Sequence, residues 1–264
     1  MNIDYLQDIE FLPKPPLIVI SVNAFTIDCS TQDVESEIYF HLIESHGKRR
    51  MVTLPAITIK KHFKSGYLTE MDVTVAVIEA ESQDISTILI MPGQQGGILQ
   101  KDSLTNMEAK FLQGDFSRNI DLLLHNIKPV FRSLQLPRIH IKSVMNNSEQ
   151  LFELGLSDLL FSNTTNLKGL QGITTTNIHL SEMLQVNHII LCKMINQKPQ
   201  STVFEQTDYN GLYFPTETIQ GTANHRQTSP DNENTTIRFN KPFMFVIRHN
   251  LTRMILYIGR FNPI

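Results

Sequence analysis

The C-terminal 26 residues constrain the fold of this chain more than any other segment. Two apolar stretches, Phe243–Ile247 and Met254–Gly259, flank the polar stretch Arg248–Arg253. Apolar segments of this length that are rich in β-branched and aromatic residues are too short for helices and typical of strands buried on both faces. The sequence therefore predicts a buried C-terminal hairpin over residues 239–264, and such a hairpin must lie inside a larger assembly of strands.

Composition and charge exclude several classes of protein. The 264 residues are 41% hydrophobic and 19% charged, which is typical of one large or two small globular domains. The net charge of −3 argues against a nucleic-acid-binding surface. No apolar run approaches the roughly 18 residues of a membrane helix, and Met1–Asp4 does not begin like a signal peptide. We therefore expect neither nucleic acid nor membrane as a partner.

The periodicity of the remaining sequence predicts an α+β fold. Strand-like patterns occupy residues 17–27, 36–43, 47–59, 71–80, 85–92, 136–144 and 178–195. Residues 102–131 have a helical pattern that Pro129 ends or kinks, and a second, short helix is expected to start at an Ser148 N-cap and end at Gly155.

A long segment between the last predicted strands, residues 196–238, is rich in Pro, Gly, Ser and Thr. It is expected to be mostly loop, and loops of this length are usually functional or disordered. The chain contains no G-x-S-x-G, H-E-x-x-H or C-x-x-C motif, and its nine histidines have no ligand-like spacing. The sequence thus predicts neither an enzyme nor a metal or other cofactor.

The C-terminal stretch "FNKPFMFVIRHNLTRMILYIGRFNPI" resembles the C-terminal signature of the serpins, the serine protease inhibitor fold. Similarity to this family continues backwards through "LPRIHIKSV", "ISTILIMPGQQGG" and "LIVISVNAFTI". The match implies a single, partial serpin domain over residues 1–264, with strands of the main sheet A and of sheets B and C and few helices. The family's N-terminal helices and first strands have no counterpart, so we expect a truncated sequence whose signal peptide lies on the absent part.

The resemblance implies a mechanism of inhibition that depends on a hinge. In serpins a protease cleaves an exposed reactive-centre loop, and the front half of that loop then inserts into the main sheet. The hinge needs a Glu, a Gly and a run of small residues. The aligned positions here are Lys193, Ile195, Lys198 and Pro199. A proline and a lysine are poorly suited to a strand that becomes buried, so we expect weak or absent inhibition.

The scissile bond of this reactive-centre-like loop is left open by the sequence. Counting forward from the hinge places it near Tyr209, with Asn210 next to it, whereas counting back from Asn240 places it between Arg226 and Asp231, with Arg226 and Gln227 as candidates. An arginine at that position would suit a trypsin-like serine protease, which is the partner that the resemblance implies.

Two other family positions also depart from the pattern. Asn23 matches the shutter asparagine of serpins, but Gln185 stands where the family has its shutter histidine. By the resemblance, Cys29 and Cys192 lie on neighbouring strands of the main sheet, and a disulfide between them would block insertion. The alternative is two buried free thiols.

Four N-x-[ST] sequons, at Asn146, Asn163, Asn234 and Asn250, fit a secreted, extracellular glycoprotein. We therefore expect a secreted serpin-family protein, similar to serpins of insect reproductive secretions, that is weakly inhibitory or non-inhibitory. The alternatives are a functional inhibitor of a trypsin-like protease and a binding or carrier module that uses the long loop.

Overall fold

A computed structural model of the chain describes residues 17–27, 34–43, 47–80, 83–161, 163–167, 169, 178–192 and 236–263. Within these ranges the strands are β1 (Ile18–Ile27), β2 (Val34–Ile43), β3 (Arg49–Leu68), β4 (Val73–Glu79), β5 (Ile85–Pro92), β6 (Pro129–Pro137), β7 (Ile139–Asn146), β8 (Glu182–Leu191), β9 (Thr236–Arg238), β10 (Phe243–His249) and β11 (Ile255–Phe261). The helices are α1 (Ser103–Leu112), α2 (Phe116–His125) and α3 (Ser148–Glu153). The predicted mixture of strands and helices is confirmed.

The described residues fall into two compact units. The first is built on a three-stranded sheet in the order β1-β8-β7, together with α3. Leu17 accepts a hydrogen bond from the Ser181 backbone N–H (2.9 Å), and Asn23 contacts Asn187. Both pairs are 164 residues apart in sequence. Because the sequence separation stays the same along the pair, residue numbers increase in the same direction on both strands, and β1 and β8 run parallel.

The second unit contains an eight-stranded sheet in the order β11-β10-β5-β4-β3-β6-β9, with β2 paired to β3. Strand β3 is 20 residues long and serves three neighbours along its length. It pairs with β2 through residues 49–58, with β6 through residues 56–64 and with β4 through residues 65–68. The two predicted strands at 71–80 and 85–92 form the antiparallel β4–β5 pair.

Helices α1 and α2 cover one face of this sheet. Alternate apolar residues of β4, β5 and β10 pack against apolar side chains of the two helices, among them Leu104, Met107, Phe111, Ile120 and Leu123. Apolar residues recur at every second position on the strands and about every 3.6 positions on the helices, because each element turns one face towards this shared core. Both patterns are therefore visible in the sequence. No helix of the described residues is both long and apolar enough to cross a membrane.

The prediction of one helical stretch over residues 102–131 was wrong in its continuity. Gln113 is extended, and Gly114 has a φ of +82°, so the first helix ends there. Asp115 then caps α2 by accepting a hydrogen bond from the Arg118 backbone N–H at 3.2 Å. Strand β6 already begins at Pro129.

The start of the short helix α3 also differs from the prediction. The N-cap is Asn147, and Ser148 is the first helical residue. The Ser148 hydroxyl donates to the Asn146 side chain at 2.7 Å and accepts from the Met183 backbone N–H at 3.3 Å. This serine therefore links α3 to the start of β8. The helix ends as predicted before Gly155, whose φ is +78°.

The C-terminal hairpin is confirmed as the antiparallel pair β10–β11, but only β10 is buried on both faces. Side chains of β11 alternate between half-buried and exposed, so the expectation of two fully buried arms was wrong. The reason is position: β10 lies between β5 and β11, whereas β11 is the last strand of the sheet among the residues that the structure describes. Such a strand lacks one neighbour that would cover it.

Four phenylalanines pack together at one end of the hairpin. The Phe243 ring stacks on Phe261 at 5.2 Å and contacts Phe239 edge-on at the same distance, while Phe40 packs against Phe261 at 5.6 Å. All four side chains are at most 5% exposed. The motif "FNKPF" thus places two buried rings, Phe239 and Phe243, at the start of β10.

Candidate functional site: a polar network in the three-stranded sheet

Asn23, the position that resembles the shutter asparagine, lies on β1 with its side chain half-buried. Its amide nitrogen donates to the Ser21 hydroxyl at 3.2 Å and to the Asn187 side-chain oxygen at 3.4 Å. Ser21 is two residues away and therefore on the same face of the strand. The second bond crosses from β1 to β8, so Asn23 provides a side-chain tie between these two strands.

Gln185, which occupies the predicted shutter-histidine position, contacts Asn187 and Asn147. Its amide nitrogen donates to the Asn187 oxygen at 3.1 Å, and its own oxygen accepts from the Asn147 amide at 3.0 Å. The structure thus brings Asn23 and Gln185 into one network, but with Asn187 between them.

Asn187 is the centre of this network. Its oxygen accepts from both Asn23 and Gln185, and its nitrogen donates to the Ser143 hydroxyl of β7 at 3.3 Å. Asn187 and Ser143 are each 8% exposed. Buried polar groups that lose a partner cost about 1–3 kcal/mol each. Asn187 therefore ties all three strands of this sheet together.

Hydrogen bonds hold β8 on both sides. Towards β7 and α3, the bonds are Asn187–Ser143, Asn147–Gln185 and a 2.8 Å bond from the Asn147 backbone N–H to the Met183 carbonyl. Towards β1, Asn23 contacts Asn187 at 3.4 Å, and the Leu17 carbonyl accepts from the backbone N–H (2.9 Å) and the hydroxyl (2.8 Å) of Ser181.

Sequence reasoning identified Asn23 and Gln185 but missed Asn187, Ser143 and Asn147. A signal for Asn187 was present, because a polar residue two positions after Gln185 lies on the same strand face. Nothing local could have paired Ser143 with Asn187, since they are 44 residues apart and meet only through the order of the strands.

Three of the four sequons lie in described residues and differ in accessibility. Asn146 and Asn163 are exposed. Asn250 is half-buried in the hairpin turn, where its nitrogen donates to the Gln83 carbonyl at 2.6 Å and its oxygen accepts from Ser86 at 2.7 Å. A glycan on Asn250 would compete with these bonds. Asn234 lies outside the described residues.

Cys192 follows β8, is 4% exposed and is disulfide-bonded. Its predicted partner Cys29 lies outside the described residues, so the pairing stays a prediction. The same holds for the predicted hinge and reactive-loop positions, which also lie outside the described residues: Lys193, Ile195, Lys198, Pro199, Tyr209, Asn210, Arg226 and Gln227.

Comparison with known proteins gives a class for this arrangement. The family profile described as "Serpin (serine protease inhibitor)" matches residues 31–263. The human leukocyte elastase inhibitor is 23% identical over 220 residues, which are 82% of this chain and 50% of that protein. The chain thus spans about half the length of the curated relatives it matches.

Solved structures agree in fold. A tumour-suppressing serpin at 2.8 Å matches with a TM-score of 0.65 and 15% identity, covering 97% of this chain and 59% of that one. Serpin-12 of Manduca sexta, described as a serine protease inhibitor, matches with a TM-score of 0.58 and 17% identity over 93% of this chain and 56% of its own. The chain belongs to the serpin family and has the serpin fold.

Proposed function

We propose that this chain belongs to a secreted serpin that traps proteases weakly or not at all. The observation that carries the proposal is the composition of residues 193–199. There Lys193, Ile195, Lys198 and Pro199 stand where an inserting hinge needs a Glu, a Gly and small residues.

Insertion of such a segment between β1 and β8 would be unfavourable on two grounds. Pro199 has no N–H to donate to a neighbouring strand, so one ladder hydrogen bond would be lost. Lys198 would need a partner or access to water, because burial of an unpaired ammonium costs several kcal/mol. The proposal therefore rests on two requirements of a central strand, a donating N–H at each ladder position and no unpaired buried charge.

The polar network suggests a second way to set the register of the hinge. If Asn187, which contacts Asn23, is the counterpart of the shutter histidine in place of Gln185, every hinge position moves two residues along. The Glu and Gly positions then fall on Ile195 and Gln197. Neither register gives a Glu followed by a Gly, so the proposal does not depend on this choice.

The predicted disulfide would oppose insertion as well. The offset of 164 residues between β1 and β8, continued along the sequence, pairs position 29 with position 193, next to Cys192. This supports the pairing of Cys29 with Cys192. Mass spectrometry of non-reduced peptides should give one cross-linked pair, and two free thiols would contradict it.

Secretion is supported by the exposed sequons Asn146 and Asn163. Expression in a secreting eukaryotic host should add glycans at these two positions and less at Asn250, whose amide nitrogen, the atom that would carry the glycan, donates to the Gln83 carbonyl at 2.6 Å. Site-mapped glycopeptide analysis measures the three occupancies. Unmodified Asn146 and Asn163 in secreted protein would contradict this part of the proposal.

A working inhibitor is the second candidate, because the relatives named above carry inhibitor in their names. The two candidates differ in one measurement, which is incubation of the full chain with trypsin and with elastase followed by denaturing electrophoresis. We expect cleavage without a covalent complex. The hinge-restored variant K193E/I195G/K198A/P199A is the matched control and, with the predicted disulfide reduced in both proteins, is expected to give more complex than wild type. A stable complex with the wild-type chain would establish the inhibitor instead.

A further inference from the structure

Two histidines that are 48 residues apart in sequence meet on the three-stranded sheet. The Nε2 atoms of His140 on β7 and His188 on β8 are 2.6 Å apart, and their ring centroids are 4.8 Å apart. One ring must donate and the other accept in this contact, so the pair as placed is not doubly protonated.

The surroundings of the pair favour its neutral form. Partial burial lowers the pKa of His140. Burial also lowers the pKa of His188, and the positive charges of His140 and Lys142 lower it further. A neutral imidazole binds metal ions through its unprotonated nitrogen, so the ring that donates in this contact must carry its proton on Nδ1 when both Nε2 atoms bind an ion.

We propose that His140 and His188 form a bidentate binding site for Cu²⁺, with water completing the coordination. The two Nε2 atoms are brought within 2.6 Å of each other by β7 and β8, and His140 is open to solvent, so an ion has access. Imidazole nitrogen is a preferred ligand of Cu²⁺, which binds such sites more tightly than the other divalent first-row metals. This site is independent of the protease-related proposal.

Geometry favours Cu²⁺ over Zn²⁺. Adjacent nitrogens at a square-planar centre lie about 2.8–2.9 Å apart, so the observed 2.6 Å needs only a small opening. Tetrahedral Zn²⁺ with bonds of about 2.0–2.1 Å would need about 3.3 Å. In addition, the described part of the chain has no cluster of three or more His, Cys, Asp or Glu side chains suited to a metal, so a closed structural zinc site is not formed there.

Binding would link β7 to β8. His188 is next to Asn187 in β8, so its ring lies on the face opposite the polar network. The ion would thus add a tie between the same two strands that Asn187 and Ser143 join, and would leave the β1–β8 contact unchanged. A bound ion that favours the folded chain must raise its melting temperature.

The test is titration of the full chain with CuCl₂ in a non-coordinating buffer, against a colorimetric chelator as competitor. We expect one Cu²⁺ per chain at this site, nitrogen hyperfine splitting in the electron paramagnetic resonance spectrum, and a higher melting temperature. His140→Asn and His188→Asn should each weaken binding by about 100-fold or more, because chelation is lost. His41→Asn, at an exposed strand histidine, is the matched control and should change nothing.

Lys142→Gln gives a further check, because removal of its charge should strengthen Cu²⁺ binding. If the histidine variants fail to fold, wild-type protein still decides the question. Cu²⁺ should protect His140 and His188, but not His41, from diethyl pyrocarbonate as mapped by mass spectrometry. Equal modification with and without Cu²⁺, unchanged affinity in both histidine variants, or no binding at micromolar Cu²⁺ would overturn the proposal.

Discussion

The two sheets of this protein are held together by different chemistry. The three-stranded sheet is linked by polar side chains that converge on Asn187, whereas the hairpin end of the eight-stranded sheet is held by buried rings such as Phe243 and Phe261. Hydrogen bonds can be exchanged for others when strands move, but a packed aromatic core loses contact area at once. Strands tied by polar side chains can therefore exchange partners more readily than strands held by packed rings.

The largest expected effect is in the aromatic cluster. Phe243→Ala should lower the free energy of unfolding by about 3–5 kcal/mol, because the ring is fully buried between Phe239 and Phe261. Chemical denaturation measures the change. The matched control is Phe131→Ala at a ring that is 61% exposed, where we expect a much smaller loss. Equal losses at both positions would show that burial in the aromatic cluster does not add to the stability of the fold.

Gly259→Ala tests the same hairpin by overpacking. A Cβ atom at this position would lie 2.5 Å from Cζ of Phe245, a ring that is 2% exposed and cannot move aside cheaply. The expected loss is about 1–3 kcal/mol. Gly66→Ala on β3 is the control, because nothing lies within 4 Å of its added Cβ. A Gly259→Ala variant as stable as the Gly66→Ala variant would contradict the described packing.

In the polar sheet, Asn187→Ala should cost about 1–3 kcal/mol, since Asn23, Gln185 and Ser143 each lose a partner. Ser36→Ala provides a comparison in the second unit, where its hydroxyl contacts Thr58 and Gln135 but remains only half-buried. We expect a smaller loss there. If Ser36→Ala cost more than Asn187→Ala in thermal unfolding, the contrast between the sheets would not hold.

The smallest expected effect concerns a carboxylate of α1 beside the eight-stranded sheet. Burial raises the pKa of Glu108 from its ordinary value of 4.5, and Arg260, 3.0 Å away, lowers it only in part. The folded state therefore binds protons more readily than the unfolded state, and this residue's contribution to stability falls as pH rises from 4.5 through the folded pKa.

Glu108→Gln removes this dependence. Relative to wild type, the variant should gain stability between pH 4.5 and pH 7, by less than about 1 kcal/mol. Urea unfolding at the two pH values measures the difference. A relative loss for the variant over that interval would mean that the ion pair with Arg260 outweighs burial.

Much of the fold was predictable because its signals are local or carried by motifs. The hairpin follows from two apolar stretches around Arg248–Arg253, and the family follows from the C-terminal signature. The break at Gly114 was missed because helical periodicity continues on both sides of it. The outer face of β11 was missed because strand position in a sheet is not encoded by the strand's own residues.

The candidate site was less predictable. Asn23 was found through resemblance, but the central role of Asn187 depends on the parallel register of β1 and β8, which two strands distant in sequence do not reveal. His140 and His188 were missed for the same reason, because ligand spacing was sought along one element and the pair is formed across two.

The most direct test of the central claim is the melting temperature of the full chain before and after cleavage within residues 196–238, with the hinge-restored variant K193E/I195G/K198A/P199A measured in parallel. With the predicted disulfide reduced in both proteins, the account predicts little or no rise on cleavage for wild type and a larger rise for the variant. A large rise for wild type would mean that the cleaved loop inserts between β1 and β8, which would contradict the proposed loss of the inhibitory mechanism.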